Sequence, residues 1–252
     1  MVMEADSLAI RFGNVLYHRW FALYNLLYEI FKRWQDAVEI SLLHRLVQPG
    51  DTILDIGANI GFYSRLLATL AGPSGRVYSF EPDNTNFLHL LGNIQGLLNV
   101  EPIKQAVAER SGSLKLYTSH MLNVDHRTYR VDNYAEEKEV TATSVDDFVG
   151  GRFRVSLIKI DIQGFEVFAF RGMKKTLEEN KDIVILTELW PYGLKKAGCS
   201  CRMMIDFLVD LGFQIFEIAG GRLVEFDINQ IPSLEEQPFS YGKNILISQK
   251  TI

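Results

Sequence analysis

From Thr52 onward the sequence alternates short apolar runs with amphipathic stretches of helical period, and this alternation restricts the fold more than any other feature. Thr52 to Ile56, Arg76 to Glu81, Val100 to Val107, Val155 to Ile160 and Ile183 to Thr187 read as strands. Gly61 to Ala71, Asn84 to Leu98 and Phe165 to Asn180 read as the helices between them. Such a succession lays parallel strands side by side with crossovers on both faces, so a doubly wound α/β sheet is expected. Ser113 to Thr118 and Glu139 to Thr143 read as strands flanking an irregular stretch around His120 to Glu137. Ser144-Val145-Asp146-Asp147 resembles a capping box opening a short helix. After a helix from Cys201 to Leu211, two strands (Phe213 to Ala219 and Asn244 to Ser248) follow without a full helix between them. A Gly220-Gly221 hairpin and a Pro-containing loop lie there instead, which implies an antiparallel partner near one edge.

Before Pro49 the pattern changes. Val15 to Trp34 reads as one helix, with Leu16, Trp20, Leu23, Leu27, Ile30 and Trp34 recurring at spacings of three and four. Tyr17, Phe21, Tyr24, Tyr28 and Phe31 run beside them, which makes the apolar stripe unusually broad. A second short helix, Ala37 to Val47, leads into the turn Gln48-Pro49-Gly50-Asp51. Residues 1–48 are therefore expected to form a helical extension, and 49–252 one domain without linker or repeat. The stripe suits docking on the domain, a homodimer contact or a lid over a cleft. A membrane surface suits it less, because the polar face (His18, Arg19, Asn25, Glu29, Lys32, Arg33) is not strongly basic.

Composition excludes several classes. Hydrophobic residues make up 47% of the 252 and charged ones 23%, enough apolar surface for a large core and too much for a disordered chain. The 26 Lys and Arg are outnumbered by 31 Asp and Glu, so no cationic excess exists to neutralise nucleic-acid phosphates. Cys199 and Cys201 stand too close together to staple distant segments, and no second Cys/His cluster lies nearby to complete a metal site. The first residues are acidic where a secretory leader is basic, and no run approaches the ~20 apolar residues a bilayer span needs. A cytoplasmic protein with no membrane span and no nucleic-acid partner is expected.

In an open α/β sheet, ligands bind beyond the carboxyl ends of the strands. Asp55-Ile56-Gly57-Ala58-Asn59-Ile60-Gly61 follows the first strand; its two glycines let the backbone turn tightly, with the next helix's N-terminus facing the ligand. A dinucleotide fingerprint would need glycine where Asn59 stands, and a phosphate-binding loop would need a following Lys-Ser/Thr. The loop suits a ligand with a cationic amine and no pyrophosphate, and a plain strand–helix turn has the same form. Phe80-Glu81-Pro82-Asp83 ends the second strand, where an acid can accept from both hydroxyls of a ribose, or simply face solvent.

Together these loops look like the S-adenosylmethionine site of a class I methyltransferase. Leu157-Ile158-Lys159-Ile160-Asp161-Ile162-Gln163-Gly164-Phe165-Glu166 is similar to the K-I-D-x-E/Q-G-x-E signature of the FkbM methyltransferase family. Asp55 to Ser64, Phe80-Glu81-Pro82 and Ser144 to Phe148 fit the same family, and the resemblance runs from about Pro49 to Ser248. It implies a Rossmann-like, doubly wound, seven-stranded and mostly parallel sheet, with one antiparallel strand near an edge and helices on both faces. It also implies S-adenosyl-L-methionine as cofactor and methyl transfer to a hydroxyl of a small molecule or sugar, a natural product or glycan. Position by position, Gly57 and Gly61 would line the methionine portion, with Asn59 in the same loop and Asp55 near the ammonium. Glu81, followed by Pro82, would hold the ribose; Gln105 and Ala106 would edge the adenine; Asp161 would face the methyl group and the acceptor. The competing classes are a methyltransferase-like binding module without turnover and a nicotinamide oxidoreductase, which shares the sheet but not the glycine pattern.

Methyl transfer to an alcohol is an in-line displacement, and the hydroxyl proton needs a base or a metal that lowers its pKa. His126 lies in the irregular segment with Asp125 beside it in sequence. Asp161 and Glu188 end neighbouring strands, as bases or as oxygen ligands for a divalent cation such as Mg²⁺. Lys159 reads as an ion-pair partner of a nearby carboxylate, and His18, His44, His89 and His120 as ordinary polar residues. Trp190-Pro191-Tyr192 suits stacking on a sugar or packing a loop.

Overall fold

The computed structural model describes residues 13–119, 127–129 and 134–249. Its strands are β1 (Thr52–Ile56), β2 (Arg76–Phe80), β3 (Val100–Ile103), β4 (Ala106–Val107), β5 (Gly112–Ser119), β6 (Tyr134–Thr143), β7 (Leu157–Ile160), β8 (Val184–Leu189), β9 (Gln214–Ala219), β10 (Arg222–Glu225) and β11 (Lys243–Ser248). The main sheet has the order β10-β9-β11-β8-β7-β1-β2-β3. β3, β2, β1, β7 and β8 pair in parallel, and β11 runs antiparallel to both β8 and β9. The expected antiparallel strand is thus present, one place in from β9.

Two apolar layers hold the sheet. Leu54, Ile56, Ile158, Ile160 and Phe170 pack on one side, and Ile53, Leu67, Val77, Leu90 and Leu157 on the other. Both faces of the central strands are covered, which is why β1 and β7 are nearly continuous apolar runs. Asp55 and Lys159 break those runs at one shared level, since they are register partners in β1 and β7, with Ser79 of β2 on the other side of Asp55. A polar ladder therefore crosses the sheet just below its carboxyl edge.

Several boundaries differ from expectation for local reasons. The sheet has eight strands rather than seven, because the Gly220-Gly221 hairpin adds β10 antiparallel to β9. The expected strand Val100 to Val107 divides in two: the Gln105 N–H donates to the Ile103 carbonyl at 2.9 Å, and the turn sends β4 into a second sheet of order β4-β6-β5. β6 begins at Tyr134, well before the expected Glu139. The single helix expected from Phe165 to Asn180 is two, Glu166–Arg171 and Lys174–Glu179. The second starts where the Asp146 carboxylate accepts from the Lys175 and Thr176 N–H groups, at 3.0 and 2.8 Å. The Ser144 cap is present, its hydroxyl accepting from the Asp147 N–H at 3.0 Å.

In the N-terminal stretch, residues 13–19 are helical, the chain breaks at Trp20, and helices Phe21–Gln35 and Ala37–Leu46 follow. The broad stripe splits. Tyr17 donates to Asn86 Oδ1 at 2.6 Å, Phe21 stacks on His89 with ring centroids 3.5 Å apart, and Glu29 pairs with Arg65. That side docks on the domain. Trp20, Leu27, Ile30 and Trp34 remain exposed. Among the described residues no helix is long and apolar enough to cross a membrane.

Candidate active site

A cleft of about 430 Å³ opens at the carboxyl ends of β1, β2, β7 and β8. Such a volume admits a small organic ligand. Of the residues singled out from sequence, Gly57, Asn59, Glu81, Pro82, Gln105, Ala106, Asp161 and Glu188 all line it. Asp55 and Gly61 do not. Asp55 is fully buried beneath the loop, where Oδ2 accepts from Ser64 Oγ at 2.7 Å and Oδ1 has no partner among the described residues. Burial pushes its carboxyl up, opposed by the Lys159 ammonium and the Ser64 hydroxyl. His126 and His120 lie outside the described residues.

The loop after β1 is shaped by its contact with β7. Gly57 has φ 81°, and a Cβ there would overlap the Asp161 carbonyl oxygen, so a side chain is excluded both by conformation and by space. Asn59, at the place where a dinucleotide loop has glycine, also takes a left-handed conformation (φ 51°). Gln163 (φ 55°) shares this geometry, and these are the two non-glycine residues with positive φ among those described. Both line the cleft. Strained backbone of this kind concentrates at ligand sites.

Glu81, 5% exposed, is anchored from two sides. Its Oε2 accepts from the Asn59 N–H and its Oε1 from the Asp83 N–H, both at 2.9 Å. Burial pushes its carboxyl up to about 8, although those two N–H groups act the other way. The Asn59 Oδ1 beside it is buried and unpartnered among the described residues.

Across the cleft, Asp161 and Glu188 behave oppositely. Burial raises Asp161, but the Lys159 ammonium 3.6 Å away and the Gln163 amide, which donates at 2.8 Å, outweigh it and hold the carboxyl below its ordinary range. At Glu188 burial, with the charges of Asp161 and Glu166, pushes the carboxyl up to about 8. The Lys159 and Lys32 ammonium groups also pull its pKa down, but they do not prevail. Lys159 is itself nearly buried and sits 4.7 Å from the Tyr63 ring centroid. Among the described residues, no group of three or more His, Cys, Asp or Glu is placed to hold a metal ion.

Sequence reasoning missed part of the wall. Tyr28, Phe31, Lys32 and Asp36 of the N-terminal helices line the cleft, as do Tyr63, Thr187, Phe239 and Asn244. Lys32 pairs with Asp36 at 2.5 Å, and Asp36 also accepts from the Tyr63 hydroxyl at 2.6 Å. The position of Thr187, one residue before Glu188 at the end of β8, was the available signal; its hydroxyl is buried and unpartnered among the described residues. Trp190 has the packing role, its ring N–H donating to the Phe239 carbonyl at 2.8 Å under the Arg127 guanidinium.

Glu166, the last residue of the β7 signature, does not line the cleft but shapes it. Its buried Oε1 accepts from the Ile162 and Gly164 N–H groups, each at 3.2 Å, holding the turn that carries Gln163. Glu166→Ala is expected to leave both donors unpaired and to cost roughly 2–4 kcal/mol, while Glu166→Gln, which keeps an acceptor, costs much less. Denaturant titration of the two variants checks this; equal losses would remove the turn-holding role.

The sequence matches the Methyltransferase FkbM domain over residues 55–215. Solved structures with a similar chain path include an rRNA methylase from Streptococcus thermophilus, 11% identical, covering 84% of this chain and 95% of that one, with a TM-score of 0.49. Fibrillarin from Aeropyrum pernix in complex with S-adenosyl-L-methionine is 16% identical over 80% of this chain and 67% of that one, with a TM-score of 0.46. A protein-L-isoaspartate O-methyltransferase of Aeropyrum pernix is 56% identical over 34 residues, which is 14% of this chain and only 13% of that protein. The domain match takes in the end of β1 with its glycine turn, the Glu81 corner, the β7 signature and β8, which build much of the cleft. The chain accordingly belongs to the FkbM methyltransferase family, and S-adenosylmethionine is its methyl donor.

Proposed function

We propose that this methyltransferase acts on a hydroxyl oxygen of a small molecule or sugar, with Glu188 as the group that takes the hydroxyl proton. The observation carrying this reading is the opposed titration of two cleft carboxyls, Asp161 held low and Glu188 raised to about 8. Divergent pKa values at adjacent carboxyls separate a permanently charged group from one that exchanges protons near neutrality.

The cleft suits the cofactor on its own terms. Glu81 retains free lone pairs after accepting two N–H groups, which suits a vicinal diol, and the orphaned Asn59 Oδ1 offers a further acceptor. The Gly57 turn removes any side chain between the loop and β7. Bound there, S-adenosylmethionine supplies a methyl group activated by its sulfonium. Gln105 and Ala106, at the turn between β3 and β4, suit the adenine edge. On the acceptor side, Asp161 and the Thr187 hydroxyl orient the acceptor by hydrogen bonds, and Glu188 receives its proton. The N-terminal helices serve as the wall that keeps water out, through Tyr28 and Lys32.

The test is transfer from methyl-tritiated S-adenosylmethionine to a panel of glycosides and polyketide alcohols, with products then treated with alkali. Alkali-stable methyl ethers are expected; label released as methanol or retained on nitrogen overturns the hydroxyl assignment. Glu188→Gln is expected to cut turnover at least a hundredfold with S-adenosylhomocysteine affinity little changed. Wild-type turnover should rise with pH up to about 8, because the base must be ionised. An unaltered pH profile in Glu188→Gln removes Glu188 from that role.

A further inference from the structure

We propose that the solvent-facing side of the N-terminal helices docks on an anionic lipid bilayer surface, with the mouth of the cleft turned towards the lipid. Trp20, Leu23, Leu27, Ile30, Phe31 and Trp34 are 43–78% exposed and lie on one face. Leaving so many large apolar side chains in water marks an interaction surface. The two tryptophans stand at opposite ends of it, roughly 20 Å apart at helical rise. Indole rings favour the headgroup boundary of a bilayer, where an apolar body and a polar N–H are both accommodated.

Charge identifies the occupant. Read as a sequence, this stretch is nearly balanced, which counted against a membrane. In the fold its acids are used internally: Glu29 pairs with Arg65, Asp36 is buried against Lys32 and Tyr63, and Glu39 accepts from Asn244. The exposed charges of residues 13–48 are then cationic, namely Arg19, Arg33 and Arg45. An apolar face on helices whose exposed charges are cationic complements anionic headgroups over acyl chains. Phe31 ties this face to the chemistry, because it is 52% exposed and also lines the cleft.

The experiment is flotation of the full chain with vesicles of phosphatidylglycerol and phosphatidylcholine, against phosphatidylcholine alone, at low and high salt. Wild type is expected to float with the anionic vesicles and to be released by salt. Trp20→Glu combined with Trp34→Glu should lower partitioning at least tenfold, with melting temperature and S-adenosylhomocysteine binding unchanged. Arg19→Ala with Arg45→Ala should remove the preference for anionic lipid. Failure of the folded wild type to float, or flotation undiminished in the tryptophan variant, overturns the proposal. So does light scattering that finds a dimer which the tryptophan variant splits, since the face would then belong to a second copy.

Discussion

Gly57→Ala is expected to destabilise the protein by about 3 kcal/mol or more and to abolish measurable S-adenosylhomocysteine binding. Two effects add. A non-glycine residue at φ 81° is strained by ~1–3 kcal/mol, and the new methyl group overlaps the Asp161 carbonyl oxygen, which belongs to backbone and has little room to move. Overpacking of that kind costs typically ~1–3 kcal/mol more. Relief requires β1 and β7 to separate at their carboxyl ends, which displaces Asn59 and Asp161 together. A fall in Tm of roughly 6–12 °C follows for a chain of this size. Calorimetry and binding titration on the same sample check both parts; a variant that melts and binds like wild type would falsify the close approach of these two strands.

Glu81→Ala is expected to weaken S-adenosylhomocysteine binding by about a hundredfold or more. A charge-assisted hydrogen bond contributes ~1.5–3 kcal/mol, and two of them to a diol exceed the ~2.7 kcal/mol that a hundredfold represents. Because Glu81 also receives the Asn59 and Asp83 N–H groups, the alanine variant loses stability as well. Glu81→Gln keeps one carbonyl acceptor and separates the two losses. The raised carboxyl adds a pH signature. Hydroxyl donors favour the ionised form, so binding near pH 7 should release a proton, and affinity should climb with pH before levelling above about 8. Titration in buffers of different ionisation heat measures that proton. Uptake of a proton, or none, would remove the carboxylate–diol contact.

Stability depends on pH in the opposite direction. Glu81, Glu166 and Glu188 have folded values raised to about 8, 7 and 8 from an ordinary 4.5, so each holds its proton more tightly in the folded chain. Their contribution is complete below about 4.5 and is lost as pH rises towards 8. The ligand-free protein should therefore melt earlier at pH 8 than at pH 6 as far as these groups are concerned.

What could be read from the sequence follows from how local each signal is. β1, β2, β7 and β8 were legible because strands buried on both faces are short apolar runs, and the residues directly after them fell in the cleft as the sheet's polarity requires. The division of Val100 to Val107 was not legible, because its cause is a bond between the Gln105 N–H and the Ile103 carbonyl that composition does not encode. Nor was the break in Phe165 to Asn180, which depends on Asp146 some thirty positions away. The motif of Asp55 suits a place near the ligand's ammonium, yet the side chain lies under the loop, accepting from Ser64 in the first turn of the next helix. The N-terminal stripe was seen whole. Only tertiary contacts reveal that its tyrosine side is docked and that Tyr28 and Lys32 reach the cleft.

The sheet's order in space departs from its order in time. β11, synthesised after both β8 and β9, fits between them, pairing with each. Until it emerges, each of those two strands presents an unpaired edge to solvent or to a chaperone. The Asn244 amide on β11 then donates to Glu39 Oε1 at 2.7 Å, joining positions 205 residues apart at the mouth of the cleft. A nascent chain thus carries every element of the glycine turn and the Glu81 corner long before it owns a finished site. Competence to hold the methyl donor should appear only once β11 has been translated, and a chain cut before Lys243 should form an open-edged, aggregation-prone intermediate.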